Sequence, residues 1–172
     1  MARHVRFWDL SSTLTGDYTA GIKMAKDGRL YTVEHLIHGR WTPFDRDQVI
    51  LQTAQADGIG CEVVIEQEPG SSGVSQVDSL VALLAGYKVS GKRSTGDKVT
   101  RAAPLASQAE AGNVRLVNGP YVRALLDEIC SFPTEGVHDD IVDAMSGAFL
   151  VLSARPENPL AGLVSFTKAR GW

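Results

Sequence analysis

The sequence predicts an α/β domain built on a mixed sheet, antiparallel over its first three strands and parallel after them, with helices on both faces. Three observations predict it. The chain opens on short runs of β-formers joined by a hairpin signal. From residue 44 onward, helical periodicity alternates with further short β-runs. At 172 residues and 44% hydrophobic content, the chain has the usual size of one compact domain and can bury a real core.

Val5–Leu10 is rich in β-formers and runs into the Ser/Thr/Gly stretch Ser11 to Gly16, a strand then a turn, with Asp9 at the strand's end. Tyr18–Ala25 and Leu30–Ile37 are the next strands, and Asp27-Gly28 between them is a strong hairpin signal. After Trp41-Thr42-Pro43 the period changes. Phe44–Ala56 places Val49, Ile50, Thr53 and Ala54 on one helical face before Asp57-Gly58 ends the helix. Cys61–Glu66 is a second short β-run, and Glu66 repeats the strand-end position of Asp9. Gln67–Gly73 is loop by composition, Val74–Leu84 a helix closed by Gly86, Tyr87–Val89 a brief strand, and Gly91–Gly96 a polar loop. Asp97 suits the N-cap of a helix over Lys98–Ala111, which Pro104 is expected to kink or interrupt. Val114–Val117 is the last strand. Tyr121–Cys130 is a helix with Leu125, Leu126 and Ile129 inward, Phe132-Pro133 breaks the chain, and Asp140–Leu152 forms a final apolar helix. The domain thus covers 1–152, and 153–172 is expected to be a loose tail.

No apolar run is long enough to span a bilayer, and the first residues lack the apolar core of a signal peptide. Cys61 and Cys130 stand far apart without a CxxC partner, which suggests neither a disulfide framework nor a thiolate zinc site and fits a reducing, cytoplasmic setting. The net charge of -3 argues against nucleic-acid binding by sheer positive field. Divalent cations held by carboxylates would reverse the local sign, so net charge does not decide the matter.

The chemistry-bearing residues fall in three acidic clusters. Asp9 and Glu66 end two strands, and neighbouring strand ends of an α/β sheet lie side by side at one edge. The third cluster, His138-Asp139-Asp140-Ile141-Val142-Asp143, opens the last helix, where Asp139 or Asp140 shares a face with Asp143. This cluster reads two ways. Asp139 and Asp140 can be a capping pair on a solvated helix end, favoured by the helix dipole. Alternatively they ligate a cation: Asp143 lies within the apolar run of Ile141, Val142, Met145, Ala148 and Phe149, a semi-buried carboxylate needs a counter-charge, and all-oxygen ligation suits Mg2+ or Mn2+. Lys98 and Arg101, with Lys88, Lys92 and Arg93 before them, form the basic concentration nearest these clusters. They read as phosphate contacts or, for the last three individually, as a solvated loop. His138 reads as a ligand or as an orienting neighbour, and Trp8 as core. Gly70-Ser71-Ser72-Gly73 lacks the lysine of a phosphate loop, so no ATP site is expected.

Five motifs occur in order: Trp8-Asp9-Leu10, Gly16-Asp17-Tyr18-Thr19, Ile65-Glu66-Gln67, Gly96-Asp97-Lys98-Val99-Thr100-Arg101-Ala102, and His138 to Ala144. Each is weak alone. As an ordered set from Val5 to Leu152, they resemble the nuclease domain of phage terminase large subunits, in the ribonuclease H-like superfamily. The resemblance implies a ribonuclease H-like fold and a two-metal Mg2+- or Mn2+-dependent endonuclease cutting concatemeric double-stranded DNA. Asp9, Glu66 and Asp140 would be catalytic metal ligands. Asp139 is the alternative to Asp140, Asp143 a supporting or packing group, and Asp17 an accessory carboxylate or a turn residue. Lys98, Arg101, Lys92 and Arg93 would contact DNA. The family further implies an ATPase motor domain in the same full-length chain, a small terminase subunit and the portal as partners, in the host cytoplasm during assembly. The early start of the first strand fits a domain excised from such a chain. The carboxylates alone do not separate this reading from a resolvase or ribonuclease H, nor from a non-catalytic binding module of the same fold.

Overall fold

In the computed structural model, which describes residues 2–11, 17–134, 136 and 138–154, the order is β1 (Arg3–Asp9), β2 (Thr19–Asp27), β3 (Leu30–Gly39), α1 (Pro43–Asp57), β4 (Cys61–Gln67), α2 (Ser71–Leu83), β5 (Val89–Arg93), α3 (Lys98–Glu110), β6 (Val114–Leu116), α4 (Val122–Ser131) and α5 (Asp140–Ser153). The strands form one sheet in the order β5-β4-β1-β2-β3-β6. β1, β2 and β3 are antiparallel, their second turn closed by Gly28 at φ +59°. The β1/β4, β4/β5 and β3/β6 pairs are parallel. The mixed sheet expected from the sequence is the observed one.

This topology gathers chain ends at one edge. Asp9, Gln67 and Arg93 end the parallel strands β1, β4 and β5 there, β2 begins there at Thr19, and β3 ends there at Gly39, opposite Thr19. Side chains alternate between faces. Val5 and Phe7 of β1, Ile22 and Met24 of β2 and Val64 of β4 pack with Leu105, Leu125 and the apolar side of α5. Trp8, Val63 and Ile65 point the other way, into a second core with Ile50 and Ala54 of α1 and Val77 and Leu80 of α2. Asp9 has the parity of Phe7 and Glu66 that of Val64, so both carboxylates face α5.

Two contacts lock the layers. On the α5 side, a Cβ added to Gly147 would lie 2.4 Å from the Phe7 ring, so the helix backbone rests directly on that ring. On the other side, buried Arg6 of β1 donates from Nε and Nη2 to the Asp57 carboxylate at 2.8 and 3.0 Å and from Nη1 to the Gly21 carbonyl at 3.0 Å. This clamps the end of α1 to the sheet. Burial opposes the Asp57 charge, yet its bonds to Arg6 hold its pKa below the usual carboxylate value. Trp8 is fully buried as expected, its ring seated where Gly21 has no side chain.

Several element boundaries differ from those read in the sequence. α2 begins at Ser71, inside the expected loop, because Gly73 allows the turn to close on the Glu68 carbonyl, which a Cβ would meet at 2.2 Å. β5 runs through Gly91 to Arg93, which puts Lys92 and Arg93 on a strand rather than a loop; a Cβ at Gly91 would meet Val77 of α2 at 2.7 Å. α3 continues through Pro104, which leaves the Thr100 carbonyl without its intrahelical donor, on an exposed residue of the first turn. Leu126 faces solvent, because Glu128 takes the inward place one turn after Leu125. Residues 12–16 of the expected turn and 155–172 of the expected tail lie outside the described residues, and Ser153 closes α5.

Replacing Gly147 with Ala should destabilise the domain by about 1–3 kcal/mol, since the new methyl overpacks Phe7. Chemical denaturation of Gly147→Ala, alone and combined with Phe7→Leu, checks the contact. The second change should recover part of the loss, whereas simple additivity would contradict the assignment.

Candidate metal centre

The edge where the strands end holds a cavity of about 290 Å³, lined by Asp9, Glu66, Asp140 and Asp143 together with Asp17, Lys98 and Arg101. Three elements supply the four inner carboxylates: β1 gives Asp9, β4 gives Glu66, and the first turn of α5 gives Asp140 and Asp143. Asp140 and Asp143 are buried on the helix's inner face, as their three-residue spacing requires. The backbone N–H of Tyr18 donates to Asp140 Oδ2 at 3.2 Å. Asp17, His138 and Asp140 bring one ligand atom each to within 4.8 Å of one another, a group able to hold a cation. His138 Nδ1 lies 3.7 Å from Asp140 Oδ2.

Capping does not explain the Asp139-Asp140 pair. Asp139 occupies the N-cap position of α5 without a side-chain capping bond. The cap comes from Glu128 of α4, whose Oε1 accepts from the N–H groups of Ile141 at 2.7 Å and Val142 at 3.0 Å. Burial raises the Glu128 pKa to about 7, against the pull of those two bonds. Asp140 is thereby left to face the cavity.

The electrostatics are those of crowded like charge. Burial, then the neighbouring Glu66, Asp143 and Asp140 charges, raise the Asp9 pKa well above its ordinary value. Burial also raises Asp140, with Asp17 and Asp139 adding repulsion and the Tyr18 N–H opposing. Asp143 is raised by burial, partly offset by Lys98 and Arg101.

Those two cations are the charges already drawn in. Lys98 Nζ sits 2.6 Å from Asp139 and 3.0 Å from Asp143. Arg101 bridges Glu66 at 3.1 Å and Asp143 at 2.6 Å. Lys92 lies beside Glu66 in the strand register, and Arg93 beside Gln67 on the opposite face. Lys88 stands apart from this group, paired with Glu62 at the start of β4. Not foreseen from the sequence are Glu128, Tyr18 as the donor to Asp140, and Arg40, whose guanidinium lies 3.9 Å from the Tyr18 ring centroid. A charged residue on the inward stripe of α4 was the available signal for Glu128.

The donor set fits a hard divalent cation: several carboxylate oxygens from separate elements, partly desolvated and mutually repelling. No cysteine lines the cavity, and both cysteines are free thiols. A mixed sheet led by three antiparallel strands, with carboxylates at the ends of β1 and β4 and at the head of the final helix, is the arrangement of a ribonuclease H-like domain. The Terminase RNaseH-like domain family, Terminase_6C, matches residues 6–152, and the chain belongs to it. Solved structures share the fold. The human cytomegalovirus terminase nuclease domain, Mn soaked and inhibitor bound, superposes with a TM-score of 0.68 at 12% identity, over 87% of this chain and 82% of that one. The large terminase nuclease of thermophilic phage G20c with bound magnesium gives 0.65 at 18%, over 87% and 81%. The P22 large terminase nuclease domain gives 0.65 at 12%, over the same shares. No curated protein matches the chain. Among the described residues no helix is long and apolar enough to cross a membrane.

A raised folded pKa means that the native state holds its proton where the unfolded chain, titrating near 3.8, has released it. Without divalent cations, the contribution of Asp9 to stability is therefore lost as pH climbs from about 4 toward neutrality. Thermal melts in EDTA should give wild type and Asp9→Asn similar midpoints near pH 4 and a clear advantage for Asp9→Asn near pH 7, the window set by the raised pKa. Parallel profiles across that range would contradict the repulsion described for Asp9.

Proposed function

We propose that the chain is the nuclease domain of a viral DNA-packaging terminase, a Mg2+- or Mn2+-dependent endodeoxyribonuclease that cuts concatemeric double-stranded DNA. The observation that supports this reading is the convergence of Asp9, Glu66, Asp140 and Asp143 from separate elements into one cavity, with the pKa values of three of them raised. In this reading Asp9, Glu66 and Asp140 are the catalytic metal ligands. Asp17, Asp139 and Asp143 support them, and His138 adds a nitrogen beside Asp17 and Asp140. The family membership and the Mg- and Mn-containing relatives favour these cations over other hard ions.

Two cations held there would lower the pKa of an attacking water and stabilise the leaving oxygen of the phosphodiester. The chain's own residues do the holding. The Tyr18 N–H fixes one Asp140 oxygen, Glu128 anchors the first turn of α5, and the strand parity of β1 and β4 aims Asp9 and Glu66 at the same space. Lys98 and Arg101 stand at the cavity wall with donors that DNA phosphates compete for, and Lys92 and Arg93 extend positive charge along β5. An ATPase motor domain in the full-length chain, a small terminase subunit and the portal are the partners this role implies. Its setting is the host cytoplasm during assembly.

Plasmid nicking in Mg2+ or Mn2+ tests the reading. Wild type should cut, and Asp9→Ala, Glu66→Ala and Asp140→Asn should each lose activity by more than about a hundredfold. Metal should raise the wild-type melting temperature by mass action and leave Asp9→Ala nearly unmoved. A folded wild-type protein that neither cuts nor shifts at millimolar metal contradicts the proposal.

A further inference from the structure

Arg40 lies at the same sheet edge as the carboxylates, one residue past the end of β3. Its guanidinium stacks on the Tyr18 ring, 3.9 Å from the centroid. Tyr18 is pinned in turn by His38, with ring centroids 4.3 Å apart, by His138 edge-on at 4.9 Å, and by its own N–H bond to Asp140. From behind, the Trp41 ring folds over Gly39, where a Cβ would meet it at 2.5 Å, and so fixes the junction that carries Arg40. The side chain is exposed, and among the described residues it makes no hydrogen bond or ion pair. Lys98 and Arg101, on the other flank, have their charges committed to carboxylates. Arg40 is therefore held in place by a ring face while its N–H donors stay open, which is the condition of a preorganised phosphate clamp.

We propose that Arg40, stacked on Tyr18, grips a backbone phosphate of the DNA on the β3 side of the cavity, so that the strand is held on both sides of the reacting phosphate. This rests on the nuclease reading and deepens it. From β5 to β3 the edge crosses four strand spacings, about 19 Å. At roughly 3.4 Å of duplex axis per phosphate on each strand, the edge is matched to about five or six phosphates. Lys92, beside Glu66, stands at one end of that track, Asp9 and Glu66 in the middle, and Arg40 at the other. The charge pattern is thus basic, acidic, basic, and the acidic centre is where cations would reverse the sign.

The test is fluorescence anisotropy of a labelled DNA duplex with the full chain, in Ca2+ so that binding is read without turnover. Plasmid nicking of the same preparations in Mn2+ runs beside it. Arg40→Ala should weaken duplex binding by about tenfold and reduce the slope of log affinity against log salt by about one. Tyr18→Leu should weaken binding in the same direction, and the double variant should lose little more than Arg40→Ala alone, because both act through one contact. Nicking by Arg40→Ala should show a raised KM for DNA with kcat retained. If wild type cuts while Arg40→Ala binds with unchanged affinity and salt slope, the clamp is overturned and the nuclease reading stands. If wild type neither binds nor cuts, both fall.

Discussion

Asp9, Glu66, Asp140 and Asp143 are like charges that the backbone forces into one cavity, and their mutual repulsion is the constraint to which the surrounding structure answers. Parallel pairing of β1 and β4 sets two of them at one edge, and strand alternation turns both toward α5. The seat of Gly147 on Phe7 holds α5 against β1 while its first turn brings the other two. No single element would tolerate this accumulation alone. It persists because Lys98, Arg101 and the Tyr18 N–H each take part of the charge, and because burial leaves Asp9, Asp140 and Asp143 readier to keep a proton. These partners do not cancel the carboxylates, and the residual negative charge is what makes a divalent cation the natural occupant.

The same constraint explains the division of labour at the start of α5. A helix N-terminus attracts an acid, and the sequence offers Asp139 and Asp140 for that purpose. The fold uses Glu128 from α4 instead, which satisfies the Ile141 and Val142 N–H groups from outside the helix. Capping from another element frees Asp140 for the cavity. Asp139 reaches outward to Lys98, and so couples the head of α3 to the head of α5.

Much of this was legible in the sequence for physical reasons. Period-two runs ending in an acid mark Asp9 and Glu66 as strand-end residues. The apolar stripe around Asp143 marks it as inward, and Asp27-Gly28 announces the hairpin. What was not legible depends on contacts between elements. Gly91 and Gly73 look like loop residues, and are glycine because a helix side chain and a carbonyl pass too close for a Cβ. Glu128 looks like surface charge on α4 until α5 docks against it, and its inward turn is what leaves Leu126 exposed. Arg40 has no motif around it; only the return of β2 beside β3 sets Tyr18 beneath its guanidinium.

The central claim, that the cavity is a divalent-cation site, is tested most directly by a crystal structure of the protein soaked in Mn2+, with anomalous scattering to locate the ion. Anomalous density is expected within about 2.0–2.3 Å of oxygens of Asp9 and Asp140, within reach of Glu66, at metal–oxygen distances typical of such sites. A cavity with no anomalous density at saturating Mn2+, Glu66 and Asp143 still paired with Arg101 and Lys98, would contradict it.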